Sequence, residues 1–193
     1  MAEIKSALEL ALEKAQQYGR ASKEDLLLEK HREAARQIAV RYLKGEEEDL
    51  KEALAAIPKE AQAEARRVMK EVFLRNITLP REEKVDPRQE RALEGMLAVA
   101  SNPKAMARLK AEVEQVWQQF LLARNTAYQQ LKNSFRQTLG NYTRALEAQL
   151  GAKVRLEADQ LPEFQQEWRK FEGGLTNQFE PILADRKEKM LNL

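Results

Sequence analysis

Apolar residues recur in steps of three, four and four along residues 106–150. The series is Met106, Leu109, Val113, Trp117, Phe120, Tyr128, Leu131, Phe135, Leu139, Tyr142, Leu146 and Leu150, and Arg124 alone breaks it. A second series with the same steps runs Phe164, Trp168, Phe171, Leu175, Phe179, Ile182, Met190 and Leu193, with Arg186 as its one charged member. An eleven-residue repeat of about 3.67 residues per turn stays on one side of a nearly straight helix. Two such stripes, separated by Gly151 to Leu161, predict two arms of an antiparallel hairpin, coiled-coil-like in its packing. The helix-pairing seam is then Trp117, Phe120, Tyr128, Leu131, Phe135, Leu139, Tyr142 and Leu146 against Phe164, Trp168, Phe171, Leu175, Phe179 and Ile182. Gly140 is a place for a kink in the first arm, and Gly173, Gly174 and Pro181 predict two or three segments in the second. Pairing across the tip sets 162–193 against 119–150 and leaves 103–118 to pack on the N-terminal half.

That half reads as about five shorter helices. Ile4, Leu8, Ala11, Leu12 and Ala15 share a face of a first helix over 3–18. Ser22 and Asp25 signal the start of a second at 23–44, closed by Gly45. The acidic run Glu46 to Asp49 falls on the first turn of a third, where the helix dipole favours negative charge. Pro58 divides it from a fourth over 59–77, and 78–86 is a loop. Asp86-Pro87 and Asn102-Pro103 each pair an N-cap with proline at the first helical position, opening a fifth helix and then the long arm. The expected fold is all-α: a bundle over 1–101 followed by the hairpin over 102–193.

Composition agrees with helix, since the 193 residues include only seven Gly and six Pro and the rest is rich in Ala, Glu, Leu, Lys, Arg and Gln. The net charge of +2 supplies no field that would imply nucleic acid or an anionic membrane. Residues 103–150 are locally basic, with seven basic and three acidic side chains, whereas 151–193 carry seven and eight. There is no Cys, which rules out disulfides, thiolate catalysis and Cys-ligated metals. The N-terminal residues lack the continuous apolar core of a signal peptide, and no stretch reaches the ~18 apolar residues of a membrane span. A cytoplasmic protein is expected.

Candidate chemistry is sparse. His31 has Leu27, Leu28, Ala34 and Ala35 as its helical neighbours, so no carboxylate orients it or shares a metal. Neither of the common glycine-rich phosphate loops is present. No catalytic residue, cofactor or metal is expected. A nucleic-acid reading of the basic 103–150 arm is the first alternative, since it carries five aromatics and many Gln. Against it, the aromatics all fall on the stripe, placed for burial, and the basic residues scatter around the helix. An enzyme with an irregular site is the second alternative. Arg124 and Arg186 have two readings: stems along the seam with heads in water, or, for Arg124, a pair with an acid of the other arm or of a second subunit.

The opening Glu3-Ile4-Lys5-Ser6-Ala7-Leu8-Glu9-Leu10-Ala11-Leu12-Glu13 and the loop Asn76-Ile77-Thr78-Leu79-Pro80-Arg81 resemble a family of uncharacterised bacterial helical proteins. The resemblance implies a bacterial cytoplasmic protein and brings no activity or site residues with it. The expected role is a non-enzymatic scaffold or adaptor that binds partner proteins, or itself as a homodimer, through the long hairpin. The first arm has more stripe than the second can cover, which is the ground for the homodimer.

Overall fold

The computed structural model describes residues 23–47 and 49–193, and the helix expected at 3–18 lies outside them, as does Ser22. Among the described residues there are seven α-helices and no strand. They are α1 Lys23–Lys44, α2 Leu50–Ala55, α3 Lys59–Asn76, α4 Pro87–Ala98, α5 Pro103–Ser134, α6 Arg136–Leu150 and α7 Pro162–Leu191. The chain is all-α. None of these helices is long and apolar enough to cross a membrane.

Local chemistry explains most boundaries. Gly45 ends α1 at φ 78°, and the Gly45 amide donates to the Tyr42 carbonyl while that of Glu46 donates to Arg41, the bond pair of a Schellman cap. Glu46 and Glu47, expected on the first turn of α2, precede that helix. Asp49 is instead its N-cap, accepting from the Lys51 and Glu52 amides at 2.9 and 3.1 Å. Asp86 and Gln89 form a capping box at α4, and the Asn102 side chain accepts from the Ala105 amide at the start of α5.

Arg32 meets Glu64 and the Tyr42 ring meets Phe73, so α1 and α3 run in the same direction, with α2 on the connection between them. α4 lies across α3 at Gly95, where an added Cβ would stand 2.7 Å from the Phe73 ring. The irregular stretch after α3 buries Ile77, Leu79 and Pro80, and its carbonyls cannot be paired by a helix. Side chains from three helices take them. Gln89 Nε2 and Trp117 Nε1 both donate to the Thr78 carbonyl, at 2.9 and 2.8 Å, and Lys187 Nζ donates to Ile77 at 2.8 Å. One apolar core runs through α1 to α4, the first half of α5 (Met106 to Phe120) and the end of α7 (Leu183, Met190). A smaller cluster of Leu131, Ala158, Leu161 and Phe164 lies beyond it.

Three expectations for the arms are corrected. The break in the long arm comes at Phe135, five residues before Gly140. There the Ser134 hydroxyl donates to the Leu131 carbonyl at 2.8 Å and competes with the backbone ladder. The returning arm is one helix, not two or three. Gly173 and Gly174 are exposed, and Pro181 and Asn177, whose carbonyl loses its partner, both face water. Finally, α7 lies against 105–135 rather than 119–150, from the Phe164–Phe135 contact to Leu193, which shares a groove with Ala105 and Leu109. The cause is the segment after Gly151. It returns along α6 in extended form, with Val154 bonded to Glu147, Glu157 paired with Lys132 and Asp159 bonded to Tyr128. An extended chain advances about 3.3 Å per residue against ~1.5 Å in a helix. About seven residues therefore undo the fifteen of α6 before α7 begins.

Candidate interaction surface

The inward positions of α7 are Phe164, Trp168, Glu172, Leu175, Phe179, Leu183, Arg186 and Met190. They follow the expected mixture of threes and fours, but each step of three comes one step later than in the apolar series. Glu172 and Leu183 thus replace Phe171 and Ile182, which are 52% and 43% exposed. Tyr142 is the third correction, at 41% exposed, because only the first turn of α7 reaches its level, and there it meets Glu163 through its hydroxyl rather than burying its ring. The apolar rule selected Phe171 over its charged neighbour. What it missed is that Arg124 stands opposite and calls for an acid.

Arg124 Nε lies 2.8 Å from Glu172 Oε1, and its guanidinium stands 5.7 Å from the centre of the Trp168 ring. Of the two readings of this arginine, the pair with the other arm is the one in the structure. Arg186, the intruder on α7, is placed alike: its Nε is 2.7 Å from Glu112 Oε2 on α5. That contact is close enough for an ion pair but poorly aligned for a hydrogen bond, since the buried Nε has no hydrogen-bonded partner. Each arm therefore lends one cation to an acid of the other.

Aromatic layers fill the space around these pairs. Phe120 meets Phe179 edge-on at 5.4 Å between ring centres, and Tyr128 meets Trp168 at 5.1 Å and Phe164 at 5.5 Å. Such contacts contribute about 0.5–1.5 kcal/mol each beyond the area they bury. The Tyr128 hydroxyl donates to Asp159 at 3.0 Å; burial, and then that bond, push its pKa above the ordinary tyrosine value. Trp117, Phe120, Leu131 and Phe164 are buried, and Tyr128, Phe135, Leu139, Trp168, Leu175 and Phe179 are half-buried against the two clusters.

Beyond Phe135 the seam changes character. α6 has no buried residue, although Leu139, Tyr142, Leu146 and Leu150 continue the stripe along it. Leu146 is half-buried and Leu150 is 65% exposed. Leu139 packing on the small cluster, the extended return segment and the Tyr142–Glu163 hydrogen bond, 3.0 Å long, tie this helix down. Nearer the bundle, a cleft of about 1040 Å³ separates residues 81–84 from Leu121, Leu122, Arg124, Tyr128 and Trp168. Its rim sets Arg81 and Lys84 beside Glu82 and Glu83, so it carries no net field to select a charged ligand. His31 is half-buried on α1, and among the described residues no group of three or more His, Cys, Asp or Glu could hold a metal ion.

No curated protein and no solved structure matches the chain. The model of one family does, over residues 51–192, a span that takes in every helix from α2 to α7 and all of the seam. The chain belongs to that family, a family of unknown function (DUF6657).

Proposed function

We propose that the protein is a non-enzymatic interaction scaffold whose projecting α6 pairs with a second copy of the same chain. The observation that carries this reading is a helix of 15 residues with an apolar stripe and no buried side chain. A helix this short is marginal in water by itself, and it is held by burying an amphipathic face. Its own chain covers it only in part, because α7 runs back toward the bundle and, past Leu139 and Tyr142, residues 151–157 alone accompany α6. The occupant argued for is another copy. The polar flanks mix Arg136 and Arg144 with Glu147, which favours no strongly charged partner, and two equal stripes match in length and composition when related by a two-fold axis. The polar groups of the α5–α7 seam are already used in ion pairs and hydrogen bonds within the chain, which supports a structural role for them.

Light scattering tests the reading. At tens of micromolar, as roughly suits a small helical interface, the expected mass is twice the 22.3 kDa of the chain. The double change Leu146→Glu and Leu150→Lys is expected to return it to the single-chain mass with helicity kept. A wild-type protein that scatters as a single chain, or a double variant that stays dimeric, overturns the proposal.

A further inference from the structure

At the other end of the molecule a cavity of about 900 Å³ lies among α1, α2, α3, α4 and the start of α5. Its volume is that of sites for drug-sized ligands, which combine apolar walls with a few converging polar groups. The walls here are apolar, chiefly Leu54, Leu97 and small alanines. Three cations line it, Lys51 from α2, Arg66 from α3 and Lys104 from α5, beside the neutral Tyr42 and Gln62. The one acid on the lining, Glu94, is engaged elsewhere, with its carboxylate 3.0 Å from Lys110 Nζ.

Arg32, Arg36, Arg67, Lys110 and Arg124 each stand against a carboxylate, while other cations elsewhere on the surface do not. What sets this opening apart is that three cations converge on one apolar-walled space. Lys51 and Lys104 make no ion pair with any described residue, and Arg66 donates only to the Val99 carbonyl, at 3.3 Å. One helical turn along α3 from Arg66 is Lys70, which is only 7% exposed and likewise has no carboxylate partner. Burial, and then the neighbouring Arg66, hold its amine below the usual lysine range. Three cations thus face one opening, with Lys70 a turn behind Arg66, and the lining holds no unengaged acid, so the local potential favours an anion.

We propose that this cavity binds a small organic anion, its phosphate or carboxylate end held by Lys51, Arg66 and Lys104 and its apolar body laid against Leu54 and Leu97. The site goes beyond the scaffold reading and is independent of α6, so either can fail alone. The probes are hexyl phosphate and hexanoate, with inorganic phosphate and hexanol as the two halves of the ligand, titrated by calorimetry into the full chain. At least one of the two amphiphilic anions is expected to bind, more tightly than either half and more weakly as salt is raised. Lys51→Glu and Lys104→Glu are expected to weaken that binding by about tenfold or more, as when a charge-assisted contact becomes repulsive. Both lysines are exposed, near the amino ends of their helices where Glu is well tolerated, and circular dichroism verifies the fold. Lys153→Glu, on the exposed return segment, is expected to leave the affinity unchanged. The proposal is overturned if neither anion binds, if inorganic phosphate binds as well as hexyl phosphate (an adventitious ion only), or if Lys51→Glu and Lys104→Glu bind no more weakly than Lys153→Glu.

Discussion

A methyl group at Gly95 would stand 2.7 Å from the tip of the Phe73 ring, itself fully buried, so α4 lies on α3 only because position 95 has no side chain. Gly95→Ala is expected to cost about 1–3 kcal/mol, the usual penalty of overpacking a core, read as a lower urea midpoint. The same change at Gly173 or Gly174 meets nothing within 4 Å and is expected to stabilise by about 0.5–1 kcal/mol, because alanine is the better helix former. Glu64 gives a residue-scale handle on pH. Its hydrogen bonds with Arg67, chiefly, and Arg32 lower its pKa from 4.5 to about 2. A carboxylate held low in the folded state contributes stability that is present above its unfolded pKa and lost as pH falls through the folded value. Stability is therefore expected to decline between roughly pH 5 and pH 2 by on the order of 1 kcal/mol from this site, the modest figure reflecting solvent screening. In Glu64→Gln that part of the acid slope disappears from thermal melts taken across the range.

At the scale of the element, the phase of α7 is the point on which the seam turns. Leu183→Asp is expected to destabilise by about 3 kcal/mol or more, because an unpaired charge would enter a fully buried position. Phe171→Asp, one face away, is expected to cost less than about 1 kcal/mol; equal losses in chemical denaturation would restore the original apolar series. Caps and breakers were legible in the sequence because they act through their immediate neighbours, as at Gly45, Asp86 and Asn102. The phase of α7 was not, because Phe171 or Glu172 is chosen by what stands across from it. The break at Phe135 was hidden for a related reason. A serine hydroxyl turned back on its own helix leaves less trace in a sequence than Gly140, which the structure carries through without interruption. Pro181 and the glycine pair misled in the opposite direction, since packing against α5 along the other face carries the helix past them unbroken.

At the scale of the whole molecule, the register of α7 depended on the conformation of residues 151–161, where the alternation of Val154 and Leu156 with charges points to a short extended piece but not to its running back along α6. A tight tip would have covered α6 and left the start of α5 to the bundle. The extended return does the reverse, placing Leu183 and Met190 in the main core and leaving α6 without a buried side chain. The predicted dimer and the proposed anion cavity then occupy opposite ends, so light scattering in the presence of hexyl phosphate is expected to give the same mass as in its absence. The return has one more consequence. Phe135 and Ala158 pack in the same small cluster, so the chain leaves and re-enters the bundle at nearly one place. Residues 136–157 form a detachable finger, and replacing them with a short Gly-Ser bridge is expected to keep the α5–α7 register and the main unfolding transition. Because helix and return advance at about a two-to-one ratio of residues, the finger can also be lengthened by two helical turns with about three added return residues, without moving anything behind it. That makes it a part whose reach selection, or an engineer, can adjust while the rest of the protein stays as it is.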